Sequence, residues 1–426
     1  MERTSRIEGF YKMPMEERLR IVGEFGQLTQ EETLALSGLG GIDPSVPDMM
    51  IENAIGSFPL PLGVAVNFKI NDKEYLVPMA IEEPSVIAAA SNAAKMALPG
   101  GGFATTSTPP IMIGQVQVTR LKDPHNSKLQ ILHKKKEILQ YANEQDPMLV
   151  SVGGGAKDIE VRVIDTQTGP QVVVHLMVDV RDAMGANAVN TMAEAIATKL
   201  EEITGGRVYL RILSNLAVHR LARARALWKK EAIGGEEVVD GIIEAYSFAE
   251  ADPFRCATHN KGVMNGIDAV ILATGNDTRA IEAGAHAYAA LSGQYKPLTK
   301  FEKTANGDLG GTIELPMSVG LIGGATKTHP TARACIKLLG VKSASELGEV
   351  AAAVGLAQNF AALRALATVG IQKGHMSLHA RNIVASVGCP PELAEEAVRI
   401  LVSEKKIRMD RAAEVVEELK SRERQG

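Results

Sequence analysis

The order of hydrophobic patterns between residues 111 and 214 is the feature that most restricts the fold of this chain. Four segments of strand type and two of helical period follow one another as β-α-β-β-α-β. In chain order these segments are 114–121, 128–144, 158–165, 170–180, 188–204 and 207–213. This order is the split βαβ arrangement of ferredoxin-like domains. The sequence therefore predicts a small α+β domain over residues 111–214.

The chain on both sides of this unit shows mainly helical patterns. Helices are predicted over 16–37, 82–97, 216–230, 236–250 and 278–291. The arginine-rich segment 216–230 is interpreted as a solvated helix with its alkyl stems on the core, rather than as a nucleic-acid-binding helix. The predicted fold class is α+β, with a large, mostly helical domain (1–110 and 215–372), the inserted ferredoxin-like domain (111–214) and a C-terminal helical unit (373–426).

Composition argues against several functional classes. The 426 residues carry a formal net charge of −4, which does not favour binding to bulk nucleic acid or to a membrane surface. The N-terminus lacks the apolar region of a secretory signal, and no uninterrupted apolar run approaches the roughly 20 residues that span a bilayer. Three widely spaced cysteines, Cys256, Cys335 and Cys389, favour a cytoplasmic location. Neither CxxC nor HExxH occurs, so no metal site is expected.

Three polar segments are candidates for chemistry. Lys261 lies among polar residues in 252–268, and three interpretations are open: a solvated residue, a cation that stabilises an oxyanion, or a Schiff-base nucleophile. Asp277 follows Gly-Asn at the entry to a predicted helix, where capping is the simplest role. His375 and His379 have the spacing of a metal-binding pair on a helix, but no third ligand accompanies them.

The stretch DAMGAN, residues 182–187, joins a strand to a helix as a phosphate-binding loop does, although it contains a single glycine. Other glycine-rich segments, 37–41, 153–158 and 320–326, fit neither the GxGxxG nor the Walker A pattern, and turns explain them more simply. The sequence therefore supports neither a Rossmann fold nor a P-loop NTPase.

Eight motifs, in order along essentially the whole chain, resemble the 3-hydroxy-3-methylglutaryl-CoA (HMG-CoA) reductases, most closely the soluble class II of bacteria and some archaea. They are IENAIGSFPLPLGVAVNF, EEPSVIAAAS, DAMGAN, ILSNLA, THNKGVMNGID, ATGND, VGLIGGATKTHP and GIQKGHMSLHARN. The resemblance implies a four-electron reduction of (S)-HMG-CoA to (R)-mevalonate and CoA by two NAD(P)H, through mevaldyl-CoA and mevaldehyde, or the reverse reaction. Such an oxidoreductase belongs to mevalonate and isoprenoid metabolism.

The same resemblance implies roles for four catalytic residues. Lys261 is expected to stabilise the oxyanion that forms from the thioester carbonyl, an electrostatic role. Glu83 is expected to act as general acid toward the aldehyde oxygen. Asp277 is expected to hydrogen-bond Lys261 and Glu83, and His375 to protonate the departing CoA thiolate.

The family's binding residues carry over to further positions. The residues implied around the acyl end of the substrate are Glu52, Asn53, Ser85, Asn215, Arg255 and Asn265, with Ala54 standing where the family motif usually has Val. The implied cofactor residues are Asp146, Asp182, Ala183, Met184, Gly185, Ala186 and Asn187. Gly185 lets the backbone approach the dinucleotide, and the helix N-terminus favours its pyrophosphate. Asp146 is similar to an aspartate that binds the ribose hydroxyls, so NAD is favoured, with NADP as the alternative.

The family architecture implies partners as well. The large domain binds the CoA substrate, the ferredoxin-like domain binds the dinucleotide, and a C-terminal flap carries the histidine. The resemblance implies active sites at the subunit interface of a homodimer, with Lys261 and the cofactor domain coming from different subunits. The expected partners are therefore HMG-CoA, mevalonate, CoA and a second copy of the chain, with a higher oligomer open. Two alternatives remain: a lysine-dependent acyl-CoA lyase or aldolase, and a non-catalytic CoA-binding module.

Overall fold

The computed structural model describes residues 4–37, 45–368, 380–381, 383–404 and 406–423. The strands are β1 (Leu62–Ile70), β2 (Lys73–Ala80), β3 (Phe103–Ser107), β4 (Ile111–Thr119), β5 (Gly155–Ile164), β6 (Gln171–Asp179), β7 (Arg207–Ser214), β8 (Leu221–Trp228), β9 (Thr299–Lys303) and β10 (Leu309–Pro316). The helices up to the end of the small domain are α1 (Met15–Gly26), α2 (Gln30–Ser37), α3 (Ser45–Met50), α4 (Val86–Ala97), α5 (Pro124–His133), α6 (Lys135–Asn143), α7 (Pro147–Ser151) and α8 (Ala186–Thr204). The later helices are α9 (Lys230–Ile233), α10 (Glu236–Ala251), α11 (Pro253–Ala273), α12 (Thr278–Ala289), α13 (Gly324–Thr328), α14 (Pro330–Leu339), α15 (Ala344–Ala367), α16 (Pro391–Glu404) and α17 (Met409–Glu423).

Strands β4 to β7 form a four-stranded antiparallel sheet in the order β5-β6-β4-β7. Helices α5, α6 and α8 cover it, and the shared core includes Val116, Leu176, Met192 and Ile196. With one strand before the helices α5 to α7 and one strand after α8, the chain follows the β-α-β-β-α-β order. This confirms the predicted ferredoxin-like unit.

The second sheet has six strands in the order β2-β1-β3-β8-β10-β9 and packs against helices α4, α10, α11 and α15. Trp228 of β8 stacks on Phe360 of α15 with ring centroids 4.1 Å apart. Helix α15 is, within the described residues, the one helix long and apolar enough to cross a membrane by length and composition, but 67% of its most apolar window is buried. It is the central helix of this core, and the α+β fold class is confirmed.

The prediction of a helix over 216–230 is wrong, because most of this segment forms strand β8 in the middle of the six-stranded sheet. Its neighbours in the sheet are β3 and β10, and alternate residues such as Ala224 and Ala226 are buried while Arg225 is exposed. Alanine and arginine favour helices in isolation, but a strand between two partners gains hydrogen bonds on both sides. The other five strands of this sheet, β1, β2, β3, β9 and β10, were not predicted either.

The described C-terminal residues build a core of their own. Val384, Leu393, Leu401 and Val415 belong to a cluster that α16 and α17 share. In the large domain, by comparison, the main buried cluster comes from the six-stranded sheet and its helices. The boundaries of the three predicted domains stay a prediction.

Candidate functional site

Helix α11 carries Lys261, and buried hydrogen bonds of the neighbouring residues hold this helix in place. His259 Nε2 lies 2.7 Å from Thr299 Oγ1, and Thr299 donates its hydroxyl proton to Asn359 Oδ1 at 2.8 Å. His259 Nε2 must therefore be the donor to Thr299, since the hydroxyl has one proton only. Burial lowers the pKa of His259 to about 3, so the ring is neutral at pH 7. Asn359 Nδ2 also donates to the His259 carbonyl at 3.0 Å, which ties α11 to α15.

The next residue, Asn260, holds α11 on its other side. Its Oδ1 accepts from the Leu298 amide at 2.9 Å, and its Nδ2 donates to the Lys296 carbonyl at 3.0 Å. The N-terminus of α11 is capped by Asp252, which accepts from the Arg255 amide at 2.8 Å. The polar segment 252–268 is therefore a helix whose buried side fixes the direction in which Lys261 emerges.

Glu83 and Lys261 form the central contact of the candidate site. Lys261 Nζ donates to Glu83 Oε2 at 2.8 Å, although 178 residues separate the two in sequence. Asn265, one turn after Lys261 on α11, approaches the same oxygen at 3.4 Å. Glu83 lies between β2 and α4, and its side chain is 36% exposed while that of Lys261 is 60% exposed. The pair therefore forms at a surface that solvent and a substrate can reach.

Asp277 caps the next helix, α12. Its carboxylate accepts from the amides of Arg279 at 3.0 Å and Ala280 at 3.2 Å, and pairs with the Arg279 side chain at 3.2 Å. Among the hydrogen bonds between described residues, none joins Asp277 to Lys261 or Glu83. Asp277 thus caps a helix, as the sequence indicated. Its contact with Lys261 and Glu83 stays a prediction. His375 and His379 lie outside the described residues.

The predicted substrate residues lie at several places around these helices. Arg255 is in the first turn of α11, partly buried, and burial lowers its pKa. Ser85 precedes α4 in a left-handed backbone conformation, with φ 78°. Asn215 is exposed, and its carbonyl lies so close to Gly284 of α12 that a Cβ there would be 2.6 Å away. Glu52 and Asn53 are exposed in the turn after α3.

The segment DAMGAN forms the turn between β6 and α8 that was predicted to hold a dinucleotide. Gly185 caps α8 with φ 109°, and a Cβ at this position would lie 2.7 Å from Val180 Cγ1, so glycine is required. The turn leads into the 19-residue helix α8, and the backbone amides at the start of a helix favour the binding of an anion. Asp182 instead uses its carboxylate to accept from the Ala344 amide at 2.8 Å, at the start of α15.

Asp146 caps the short helix α7, accepting from the Leu149 amide at 2.9 Å. The loop after α7 lies against the end of β6: Arg181 donates to the Gly153 carbonyl, and a Cβ on Gly154 would be 2.8 Å from the Asp179 carbonyl oxygen. Asp146 therefore begins the element that flanks the DAMGAN turn. Within the described residues, no group of three His, Cys, Asp or Glu side chains could hold a metal ion.

Sequence reasoning missed two residues that join the turn to the large domain. Arg220 is buried and donates to the carbonyls of Ala183 and Met184, and Asn276 accepts from the Gly320 amide at 2.7 Å. Arg220 was included in the segment mistaken for a solvated helix. Asn276 directly precedes Asp277, and its polar side chain beside a helix cap was the only signal in the sequence.

Comparisons with known proteins bear on the family of this chain. The family model for hydroxymethylglutaryl-coenzyme A reductase matches residues 14–380. A 3-hydroxy-3-methylglutaryl-coenzyme A reductase of Archaeoglobus fulgidus is 62% identical over 98% of this chain and 95% of its own length. A solved structure of the reductase from Streptococcus pneumoniae has a TM-score of 0.83 and 39% identity, covering 97% of this chain and 99% of that one.

A further Streptococcus pneumoniae structure is described as the class II reductase bound to NADPH in open conformations. It has a TM-score of 0.82 and 40% identity, and covers 85% of this chain and 99% of that chain. A family match over most of the chain, a relative of high identity and two structures of the same fold agree with one another. The chain belongs to the hydroxymethylglutaryl-coenzyme A reductase family.

Proposed function

We propose that this protein is an HMG-CoA reductase that converts HMG-CoA to mevalonate and free CoA with two equivalents of a nicotinamide cofactor, or runs the reverse reaction. The observation that carries the proposal is the contact of Lys261 with Glu83, an ammonium and a carboxylate brought together at an accessible surface from distant parts of a chain of this family. The cofactor supplies hydride, and the chain supplies charge, protons and orientation.

Lys261 is the group proposed to stabilise the oxyanion. An ammonium aimed at the thioester carbonyl lowers the barrier most where its position is fixed before reaction, because no reorganisation is then required. The hydrogen bonds of His259, Thr299 and Asn359, together with those of Asn260, hold α11 and therefore fix the position from which Lys261 extends. Asn265, which reaches the same carboxylate oxygen, would orient Glu83.

Glu83 is proposed as the proton donor to the aldehyde oxygen in the second reduction. Its hydrogen bond with Lys261 supports this role, because a carbonyl bound by Lys261 would then also be within reach of Glu83. His375 is proposed to protonate the CoA thiolate, which would otherwise add back to mevaldehyde. The variant H375Q should therefore retain much more mevaldehyde reduction than thioester reduction. Equal loss in both reactions would contradict this role.

For the cofactor we propose NAD, bound by the DAMGAN turn. The position of Asp146 at the N-terminus of the flanking helix α7 supports the proposal, because a carboxylate beside the adenosine ribose repels the 2′-phosphate of NADP. NADP is the alternative, since the Streptococcus pneumoniae relative is described with NADPH. Steady-state kinetics with NADH and NADPH, for the wild type and for D146N, distinguish the two: D146N should gain activity with NADPH only if the carboxylate excludes the phosphate.

A homodimer is proposed from the apolar surface around Glu52 and Asn53. In the segment that carries them, Ile55 and Phe58 are largely exposed, Phe58 to 89%. Exposed apolar side chains this close together are typical of an interface. Sedimentation should show a dimer that F58D dissociates, together with loss of activity, whereas Y11D, at another exposed aromatic residue, should leave both unchanged. A wild-type monomer would refute the proposal. A cytoplasmic location is proposed from the three free thiols.

The decisive assay is the mevalonate- and CoA-dependent reduction of NAD, followed at the nicotinamide absorbance band, together with NADH oxidation by HMG-CoA. Absence of both activities with either dinucleotide would refute the proposed function. The lyase alternative predicts a covalent adduct on Lys261 after borohydride treatment with substrate, detected by intact mass. The binding-module alternative predicts CoA binding without turnover.

A further inference from the structure

The guanidinium of Arg220 is the most deeply buried charge near the predicted cofactor turn. Arg220 is 4% exposed, and its Nη1 donates to the carbonyls of Ala183 at 3.1 Å and Met184 at 2.9 Å. Its Nη2 donates to the carbonyl of Val319. Among the ion pairs between described residues, none involves Arg220. Three backbone carbonyls therefore bind a charge that no carboxylate contacts directly.

This arrangement leaves a positive charge directly beneath the turn. A charge buried at this depth is retained only where fixed dipoles replace its hydration. Burial lowers the pKa of Arg220 to about 10, while Asp182 and Asp179 oppose this effect, so the group remains a cation at neutral pH. Its field adds to that of the amides at the start of α8, and both favour an anionic ligand above the turn.

Arg220 also connects the turn with the large domain. The segment 319–322 lies along the turn: the Leu321 amide donates to the Asp182 carbonyl at 2.8 Å, and Ala183 forms a parallel bridge with Ile322. A Cβ on Gly320 would be 2.6 Å from the Met184 amide nitrogen, so this approach depends on glycine.

The same segment also contacts the loop that carries Asp277. The Gly320 amide donates to Asn276 Oδ1 at 2.7 Å, and Asn276 directly precedes Asp277 at the end of the α11–α12 connection. The turn, the segment 319–322 and the loop that carries Asp277 are thus in continuous contact. Arg220 lies at their meeting point because it binds carbonyls of both the turn and the segment.

We propose that Arg220 is a positioning residue for the dinucleotide. It holds the DAMGAN turn in one register against segment 319–322, and so sets where the pyrophosphate lies at the start of α8. The proposal rests on the assignment of this turn as the dinucleotide site. Loss of the guanidinium should weaken dinucleotide binding far more than binding of the CoA substrate.

The test compares R220M and R220K with R225M, a control on the exposed side of strand β8. Dinucleotide affinity is measured by NADH fluorescence titration, and CoA-substrate affinity by the KM for HMG-CoA. R220M should raise the Kd for NADH at least tenfold and change the KM for HMG-CoA less than twofold. R220K should give an intermediate Kd, since an ammonium reaches fewer carbonyls, and R225M should match the wild type.

The variant G320A provides a second test that keeps the charge and removes only the close approach. It should raise the Kd for NADH as well, even if R220M does not fold. Unchanged NADH affinity in folded R220M, or in both R220K and G320A, would overturn the proposal. If instead the wild type binds neither NADH nor NADPH, the assignment of the turn itself fails, and the two failures are thereby distinguished.

Discussion

Replacement of Asp268 by Asn tests a partly buried carboxyl pair that should control how stability depends on pH. Asp268 lies on α11, two turns after Lys261, and shares a hydrogen bond with Glu282 of α12. Burial, together with this hydrogen bond, raises the pKa of Asp268 to about 8. The Glu282 carboxylate also contacts His286 Nε2 at 2.8 Å, and His286 Nδ1 contacts the Tyr295 hydroxyl at 2.7 Å.

The magnitude follows from proton linkage. In the unfolded chain an aspartate loses its proton near pH 4, whereas in the folded protein Asp268 keeps it until about pH 8. The folded state therefore binds the extra proton between these values, so the contribution of this group is complete below about pH 4 and is lost as the pH rises toward 8. The slope is at most about 1.4 kcal/mol per pH unit and falls to about half of that at pH 8, so the loss between pH 6 and 8 is about 2 kcal/mol.

Thermal unfolding of wild type and D268N at several pH values measures this loss. An amide at position 268 can still donate to Glu282 but has no proton to lose. With an unfolding entropy of about 0.9 kcal/mol/K for a chain of this length, about 2 kcal/mol corresponds to about 2 °C. The Tm of the wild type should thus fall about 2 °C further than that of D268N between pH 6 and 8.

The control is D165N, at an exposed position between β5 and β6, which should leave the pH dependence of Tm unchanged. Parallel curves for wild type and D268N would refute the reasoning, because they would show that no proton is taken up by Asp268 on folding. A steeper fall for D268N than for the wild type would reverse the sign and refute it equally.

Three further predictions concern the candidate site and the buried hydrogen bonds that hold helix α11. K261M should lower kcat for HMG-CoA reduction at least about 100-fold, as loss of an oxyanion-stabilising group does, with NADH affinity within twofold by fluorescence titration. E83Q should abolish mevaldehyde reduction in a direct assay with mevaldehyde while the protein still binds CoA. T299V leaves His259 and Asn359 without their shared partner and should cost about 1–3 kcal/mol in urea unfolding.

The fold of the small domain could be predicted because its signals are local. Each strand or helix between 111 and 214 shows its own period, and the order of the six segments leaves few topologies. The strand β8 could not be predicted in this way. Its eight residues are rich in alanine and arginine, and what makes them a strand is the pairing with β3 and β10, which are distant in sequence.

The candidate site was predicted from motifs and not from geometry. Nothing in the local pattern around Glu83 indicates that Lys261 lies 2.8 Å away, because the contact depends on how α11 packs against β2 and α4. The buried partners were missed for the same reason: His259 and Arg220 have ordinary polar surroundings in the sequence, and only the fold shows that each binds groups from other elements.

The structure also shows how the predicted cofactor turn is connected to the large domain. Helix α11 ends before the loop of Asn276, which binds the segment that Arg220 joins to the turn. A shift of the turn must therefore be transmitted to this loop, or break a hydrogen bond of Arg220 or the bond between Gly320 and Asn276. Because the reaction requires the reacting groups to be held in a precise geometry, we expect substitutions at this junction to alter cofactor binding and turnover without any contact with the substrate.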